Sequence, residues 1–336
     1  MNYKEPREVT AEHKKQYVEG IESLINARQS ELEKARREYI KEIFASPEKY
    51  RTDFKKMLGW PLCEERVGLP EAVLEKIATE TDCEIYRMTF DIIDGFKMSG
   101  LFFKRLGEGK KPLVIVQHGG EGTPEMISGL YGDTANYNDM LDRVANKGVH
   151  VFAPQLLLWA EGYNVPYNRV ELDAKLKRVG SSVTALEVYG IQRILDYFEG
   201  QEYVKNLGMV GMSYGGFYTL FTAAADTRIK AAVSSSFFNS RDAVCWADWS
   251  WKESAYRFDD AEAACLIYPR KLWIAVGDRD ELFDAEKGKE SFEKLQGYQK
   301  EFGEDRDWLW FEVFEGTHEF IKDDAPIEGL VAELLK

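Results

Sequence analysis

Several residue types that mark particular protein classes are scarce here. Four cysteines occur in 336 residues, Cys63, Cys83, Cys245 and Cys265, with no CxxC spacing among them. Thiols so scattered suggest neither a zinc site nor a disulfide framework, and free thiols in a reducing compartment are the simpler reading. No metal is therefore expected. Long apolar runs are missing too: no stretch would span a bilayer, and the opening MNYKEPREVTAEHKK is charged from the start, without the apolar centre of a secretory signal. A cytoplasmic location is expected, and no membrane partner. Basic clusters are also absent, and the formal net charge is −14. Nucleic acids and anionic membranes both recruit clustered Lys and Arg, so nucleic acid is not an expected partner either. Histidine is as rare as cysteine, with His13, His118, His150 and His318 the whole set. That shortage makes assignment by elimination possible.

What is present is an ordinary balance for a soluble protein, 44% hydrophobic and 30% charged. The length suits one large α/β domain with decoration, or two modest domains. Residues 9–44 hold no proline and only one glycine, Gly20. Val18, Ile21, Ile25, Leu32, Ala35 and Tyr39 recur there at helical steps, which predicts a long amphipathic helix or two in series. An isolated helix of this kind is marginal in water, so the stripe must be buried. Arg28 interrupts it and spoils a long self-complementary seam. Packing within the chain is therefore expected rather than association, although the oligomeric state itself is not legible. Ser46-Pro47 ends this region, and a shorter helix follows to about Leu58.

A different texture begins near Cys83. Residues 84–90 alternate, Asp94-Gly95 supplies hairpin chemistry, and Phe96 to Phe103 returns as a second strand. Pro112 to Val116 is the short apolar run of a buried parallel strand. Further strands are expected at Val149–Pro154, Leu207–Gly211, Ala231–Ser235, Lys271–Val276 and Trp308–Phe314, with helices near 135–147, 171–199, 214–225, 285–301 and 326–335. Such alternation predicts a mainly parallel central sheet with helices on both faces. The division is a helical extension over residues 1–60 and an α/β domain over 61–336, with a Trp-rich insertion at about 237–268.

The strongest local signal is Gly211-Met212-Ser213-Tyr214-Gly215-Gly216, between an apolar strand and a helical pattern. A nucleophile on that sharp turn sits in strained backbone, and side chains at 211 and 215 would collide across it. The helix that follows points its N-terminus at the site, where negative charge is favoured. A serine hydroxyl needs a base to take its proton. His13 lies in a charged helix, His150 within a strand, and His118 precedes the nucleophile in a glycine-rich loop. His318, in Gly316-Thr317-His318-Glu319-Phe320 after the last strand, remains as the base. An acid should orient its imidazole, and Asp278, Asp280, Glu281 and Asp284, all just after the strand 271–276, compete for the role. Two backbone N–H donors should receive the oxyanion: Tyr214, next to the serine, and one from Gln117-His118-Gly119-Gly120-Glu121-Gly122. That loop carries a carboxylate and no Walker lysine, which argues against phosphate binding.

With these motifs the sequence resembles the α/β-hydrolase superfamily, in particular its dienelactone hydrolase and acetyl-xylan-esterase-like branch, which shades into the prolyl-oligopeptidase catalytic domain. The resemblance rests on His118-Gly119-Gly120, Gly211 to Gly216, Gly277-Asp278-Arg279-Asp280 and Gly316-Thr317-His318, and covers roughly residues 83–336. It implies an α/β-hydrolase fold with Asp280 as the triad acid and Gly120 as the second oxyanion donor. No propeller domain precedes the catalytic part, which counts against an oligopeptidase.

The expected function is therefore a serine esterase acting through an acyl-enzyme on a small carboxylic ester, such as an acyl ester of a carbohydrate or similar polar alcohol. Water is the second substrate, so no cofactor is expected. A peptidase or amidase is the alternative enzyme; a non-catalytic binding protein would have had little reason to keep the serine, acid and histidine in order. Trp246 and Trp249, interleaved with Asp and Arg, either line the substrate pocket or pack an ordinary loop, and Trp159 after another strand is a candidate for the same wall.

Overall fold

The computed structural model describes residues 2–158, 167–303 and 307–336. Among these, nine strands form one sheet: β1 (Ala72–Thr79), β2 (Cys83–Ile93), β3 (Phe96–Arg105), β4 (Lys111–Gln117), β5 (His150–Pro154), β6 (Val204–Met212), β7 (Ile229–Ser235), β8 (Lys271–Gly277) and β9 (Leu309–Phe314). Their spatial order is β1-β2-β3-β5-β4-β6-β7-β8-β9. The pairings β1–β2, β2–β3 and β3–β5 are antiparallel, and the rest of the sheet is parallel. Asp94 and Gly95 close the β2–β3 hairpin, both with positive φ (49° and 82°), as a primed turn requires.

The apolar runs are buried because both faces of the sheet are covered. In β4, Leu113 and Ile115 enter one hydrophobic core while Val114 and Val116 enter the other. Helices Val183–Glu199 and Tyr214–Ala225 cover the first face, and Met140–Ala145 and Ala325–Leu335 the second. The parallel register pairs Gln117 with Gly211, Gly211 with Ser234, and Gly277 with Phe314. The carboxyl ends of β4, β6, β7, β8 and β9 therefore finish together along one edge, where open α/β sheets place their sites.

The structure departs from the sequence reading in four places. The sheet starts one strand earlier, at β1, an edge strand whose residues are mostly exposed. The expected helix 171–199 is two, Arg169–Arg178 and Val183–Glu199. Gly180 (φ 82°) breaks it, and the Ser182 hydroxyl caps the second helix by accepting the Ala185 N–H at 3.0 Å. Of 135–147 only Met140–Ala145 is α-helical, preceded by a 3-10 turn at Ala135–Tyr137.

The fourth departure is the N-terminal helix, α1 (Arg7–Ile40). Its last turns join the body: Arg36 and Ile40 are buried, and Arg36 Nε lies 3.1 Å from Glu262 Oε1. The next helix, α2 (Pro47–Leu58), is embedded, with Arg51 Nη1 donating to the Ala224 and Leu266 carbonyls at 2.6 and 3.0 Å. Every residue from Thr10 to Arg28, in contrast, is exposed. The expectation that the chain buries its own stripe from Val18 to Tyr39 holds only for the second half, because α1 leaves the surface of the body before it reaches Arg28.

Candidate active site

Ser213 occupies the turn between β6 and the helix Tyr214–Ala225, with φ 59° and ψ −125°, a conformation costly for a residue with a Cβ. The surrounding glycines make the turn possible. A Cβ on Gly211 would sit 2.2 Å from the Gly215 carbonyl oxygen, and one on Gly215 would sit 2.1 Å from that of Gln117. The turn is pinned by the Ser213 N–H, which donates to the Ser235 carbonyl at 2.9 Å.

His318 arrives on the loop after β9 and Asp280 on the loop after β8. The imidazole Nε2 lies 2.9 Å from Ser213 Oγ, and Nδ1 lies 2.9 Å from Asp280 Oδ2. The other Asp280 oxygen accepts the backbone N–H groups of Leu282 and Phe283 at 2.9 and 3.0 Å, which fixes the carboxylate. The Phe283 ring stacks against the imidazole, 5.6 Å between centroids. Two competing acids have other work. Asp278 accepts the Gly316 N–H, and Asp284 caps the helix Ala285–Phe302 by accepting the Lys287 N–H.

The other described histidines lie elsewhere. His13 is exposed on α1. His150 Nδ1 accepts the Arg105 N–H at 3.0 Å, and burial pushes its imidazole down to about 4. His118 is fully buried and its imidazole is likewise pushed down to about 4. Its Nε2 accepts the Leu156 N–H at 3.2 Å, so Nδ1 carries the hydrogen and donates to the Gly119 carbonyl at 2.9 Å. His118 thus fastens the glycine loop to the end of β5.

A cavity of about 500 Å³ opens over Ser213, lined by Gly119, Gly120, Glu121, Met126, Ala135, Asn136, Tyr137, Met212, Tyr214, Trp246, Leu282 and His318. Both candidate oxyanion residues, Gly120 and Tyr214, lie on its wall beside the serine. A larger apolar cavity, about 900 Å³, lies beyond the 121–126 loop and is lined by Met98, Tyr131, Leu156, Leu172 and Leu186 among others. None of Ser213, Asp280 and His318 lines it, whereas Ser213 and His318 both line the smaller space.

The tryptophans divide. Trp246 lines the cavity and stacks on the Tyr214 ring at 5.5 Å. Trp249 corrects the sequence expectation: it is 2% exposed, lies behind Trp246 at 4.6 Å, and is not on the cavity wall. Its indole is held among Phe217, Phe237 and Phe283, which makes it core rather than a ligand surface. Trp159 lies outside the described residues.

Three contributors escaped the sequence reading. Tyr137, from the 3-10 turn, accepts the Gly119 N–H at 2.8 Å. Its neighbour Asn136 donates to the His318 carbonyl at 2.9 Å and accepts the Phe320 N–H at 2.8 Å. Beneath Tyr214 lies a buried ionic group: the Arg169 guanidinium meets Asp248 Oδ2 at 2.8 Å and Glu187 Oε2 at 3.1 Å, and donates to the Tyr218 hydroxyl. The Tyr214 hydroxyl donates to the same Asp248 oxygen at 3.0 Å. Burial pushes the Glu187 carboxyl up, with Arg169 opposing it. A lone Arg in a polar stretch carries no mark of such burial, which is why only the structure finds it.

Residues 110–330 match the family model described as the dienelactone hydrolase family. YtaP of Bacillus subtilis (strain 168), named as a hydrolase, is 29% identical over 203 residues, 56% of this chain and 66% of that protein, just under two thirds of its length. A glucuronoyl esterase from Solibacter usitatus superimposes with a TM-score of 0.63 at 14% identity, covering 86% of this chain and 93% of the other. Acetyl xylan esterase 1 from Thermoanaerobacterium sp. JW/SL YS485 gives 0.55 at 16% identity, with 86% and 93% covered. At such identities the structural likeness is one of fold.

Proposed function

This chain belongs to the dienelactone hydrolase family, and we propose that it cleaves a small carboxylic ester through an acyl-enzyme on Ser213. The observation that carries the reading is the continuous chain Ser213 Oγ, His318, Asp280, with both contacts at 2.9 Å beneath an open cavity.

In this mechanism His318 Nε2 takes the hydroxyl proton as Oγ adds to the ester carbonyl. The oxygen of the tetrahedral adduct is received by the N–H groups of Gly120 and Tyr214, the latter at the N-terminus of a helix. His318 returns its proton to the departing alkoxide, which leaves as the alcohol. Water then gives a proton to His318 and attacks the acyl-serine, and collapse of the second adduct releases the acid and the free serine. Asp280 keeps the imidazole in the right tautomer and stabilises its protonated form.

The cavity supports a compact substrate with a polar alcohol. Glu121 and Asn136 offer polar groups, and the Trp246 ring offers a flat face of the kind sugars use. The names of the esterase neighbours, which concern esters of carbohydrates, agree with a carbohydrate ester as the first class to try.

A fluorophosphonate probe should label Ser213 alone, and a panel of esters of graded acyl length should be turned over by the wild type and not by Ser213→Ala. Labelling that persists in Ser213→Ala would overturn the nucleophile. Turnover of acylated peptide amides with no turnover of esters would overturn the esterase reading and leave the triad.

A further inference from the structure

The cavity over Ser213 carries an acid on its wall and no base to match it. Glu121 supplies the one carboxylate among its described lining residues, and neither a lysine nor an arginine stands beside it there. The Glu121 side chain is exposed, and no described residue pairs with it. The cations of the surrounding segments are committed elsewhere. Arg279 lies 3.5 Å from Asp278 and 3.8 Å from Glu315, and Lys322 lies 3.0 Å from Glu319. Arg87 holds Glu125 at 2.6 Å, and Arg241 is turned inward onto Asp260 at 2.6 Å. Glu281, next to the lining residue Leu282, adds a second exposed acid.

For the reaction itself this charge is badly placed. Glu121 follows Gly120, with Cα atoms about 3.8 Å apart, and Gly120 is where the tetrahedral adduct would set its negative oxygen. Like charges so close repel, so an unpaired carboxylate there slows attack on a substrate that brings no positive charge of its own. An ammonium group on the substrate offsets that field. The Trp246 ring, which lines the same cavity and stacks on Tyr214 at 5.5 Å, gives such a group a second support, because cations settle on aromatic faces.

Resting on the acyl-enzyme reading above, we infer that Glu121 sorts esters by charge. An ester with an ammonium group near the reacting carbonyl is preferred, a neutral one is accepted, and one with a free carboxylate is turned away. A space of about 500 Å³ is only about 10 Å across, close to the Debye length at about 0.1 M salt, so a charge anywhere in it feels Glu121. Among carbohydrate esters, the rule favours a sugar with a free amine over one with a free carboxylate.

Three fluorophosphonates with one reactive centre test this on the full chain. Their alkoxy arms end in trimethylammonium, in tert-butyl of the same shape, or in carboxylate. Rate constants for labelling Ser213 should fall in that order. The ammonium to tert-butyl ratio should be about 5-fold or more at low salt and shrink as salt is raised. Glu121→Gln should cut that ratio at least about 3-fold, and Glu121→Lys should put the carboxylate probe ahead of the ammonium one. The ratio cancels any effect of the substitution on the shared phosphonyl centre. Far-UV circular dichroism checks that these changes at an exposed position leave the fold intact. Equal labelling by the three probes in the wild type, or a ratio that Glu121→Gln leaves unchanged, overturns the proposal. Failure of all three probes to label Ser213 overturns instead the nucleophile on which it rests.

Discussion

The Asp278 carboxylate accepts the backbone N–H of Gly316 at 2.9 Å, tying the loop after β8 to the loop that carries His318. Asp280, two residues on, meets the imidazole itself. Two neighbouring acids therefore serve one histidine in different ways, one by setting its loop and one by touching its ring.

The two should separate by mutation. Asp280→Asn is expected to lower kcat by about 10⁴-fold, because an amide presents the wrong partner to Nδ1. Asp278→Asn is expected to cost about 1 kcal/mol of stability, the worth of an ordinary hydrogen bond, and far less rate. Steady-state kinetics on both folded variants decides; a larger rate loss at Asp278 would reverse the assignment.

Acid should destabilise the protein through its buried imidazoles. His118 and His150 are pushed down to about 4 by burial, while an unfolded imidazole titrates near 6.5. Between those values the unfolded chain binds the proton and the folded chain does not. Their contribution is therefore complete above about pH 6.5 and is lost as pH falls towards 4, by about 3 kcal/mol for the fully buried His118. Urea midpoints followed from about pH 7 to about pH 4.5 should drop, and His118→Gln should flatten part of that slope. An unchanged slope in the variant would mean that His118 does not titrate in this way.

The ionic group beneath Tyr214 should be costly to open. Arg169→Met leaves the buried Glu187 and Asp248 carboxylates without their cation, and breaking such a group typically costs about 3–5 kcal/mol. Chemical denaturation measures it. Stability equal to the wild type would show that Glu187 takes up a proton at no net expense.

Trp246 and Trp249 should fail differently. Trp246→Ala opens the cavity wall and is expected to raise KM more than it lowers kcat. Trp249→Ala removes a buried indole, and large aromatic truncations cost about 3–5 kcal/mol; its signature is a lower denaturation midpoint. If Trp249→Ala changes KM at unchanged stability, the ring reaches the substrate after all.

The turn at Ser213 was legible because its geometry excludes most residues: Gly211 and Gly215 cannot carry a Cβ where they stand. The loop whose carboxylate meets His318 was legible, but composition could not rank its members, since Asp278 and Asp280 share that loop and differ only in which way they turn. β1 was missed for a physical reason. Ala72-Val73-Leu74-Glu75-Lys76-Ile77 has no alternation to read, because an edge strand with most of its residues exposed is not sorted into two faces. Gly180 was read through as a helical residue, since a single glycine in a periodic segment does not by itself end a helix; contact with the chain at Trp60, whose N–H donates to the Gly180 carbonyl at 2.9 Å, decides it. The stripe of α1 was visible, but what covers it lies beyond the sequence.

The 3-10 turn at Ala135–Tyr137 touches the glycine loop through Tyr137 and the histidine loop through Asn136. Those two loops otherwise descend from different strands, β4 and β9, with β6, β7 and β8 between them in the sheet. The turn acts as a gauge block, setting the gap between the glycine loop and the loop that carries His318. Two loops from distant strands are thus registered against one short segment that belongs to neither.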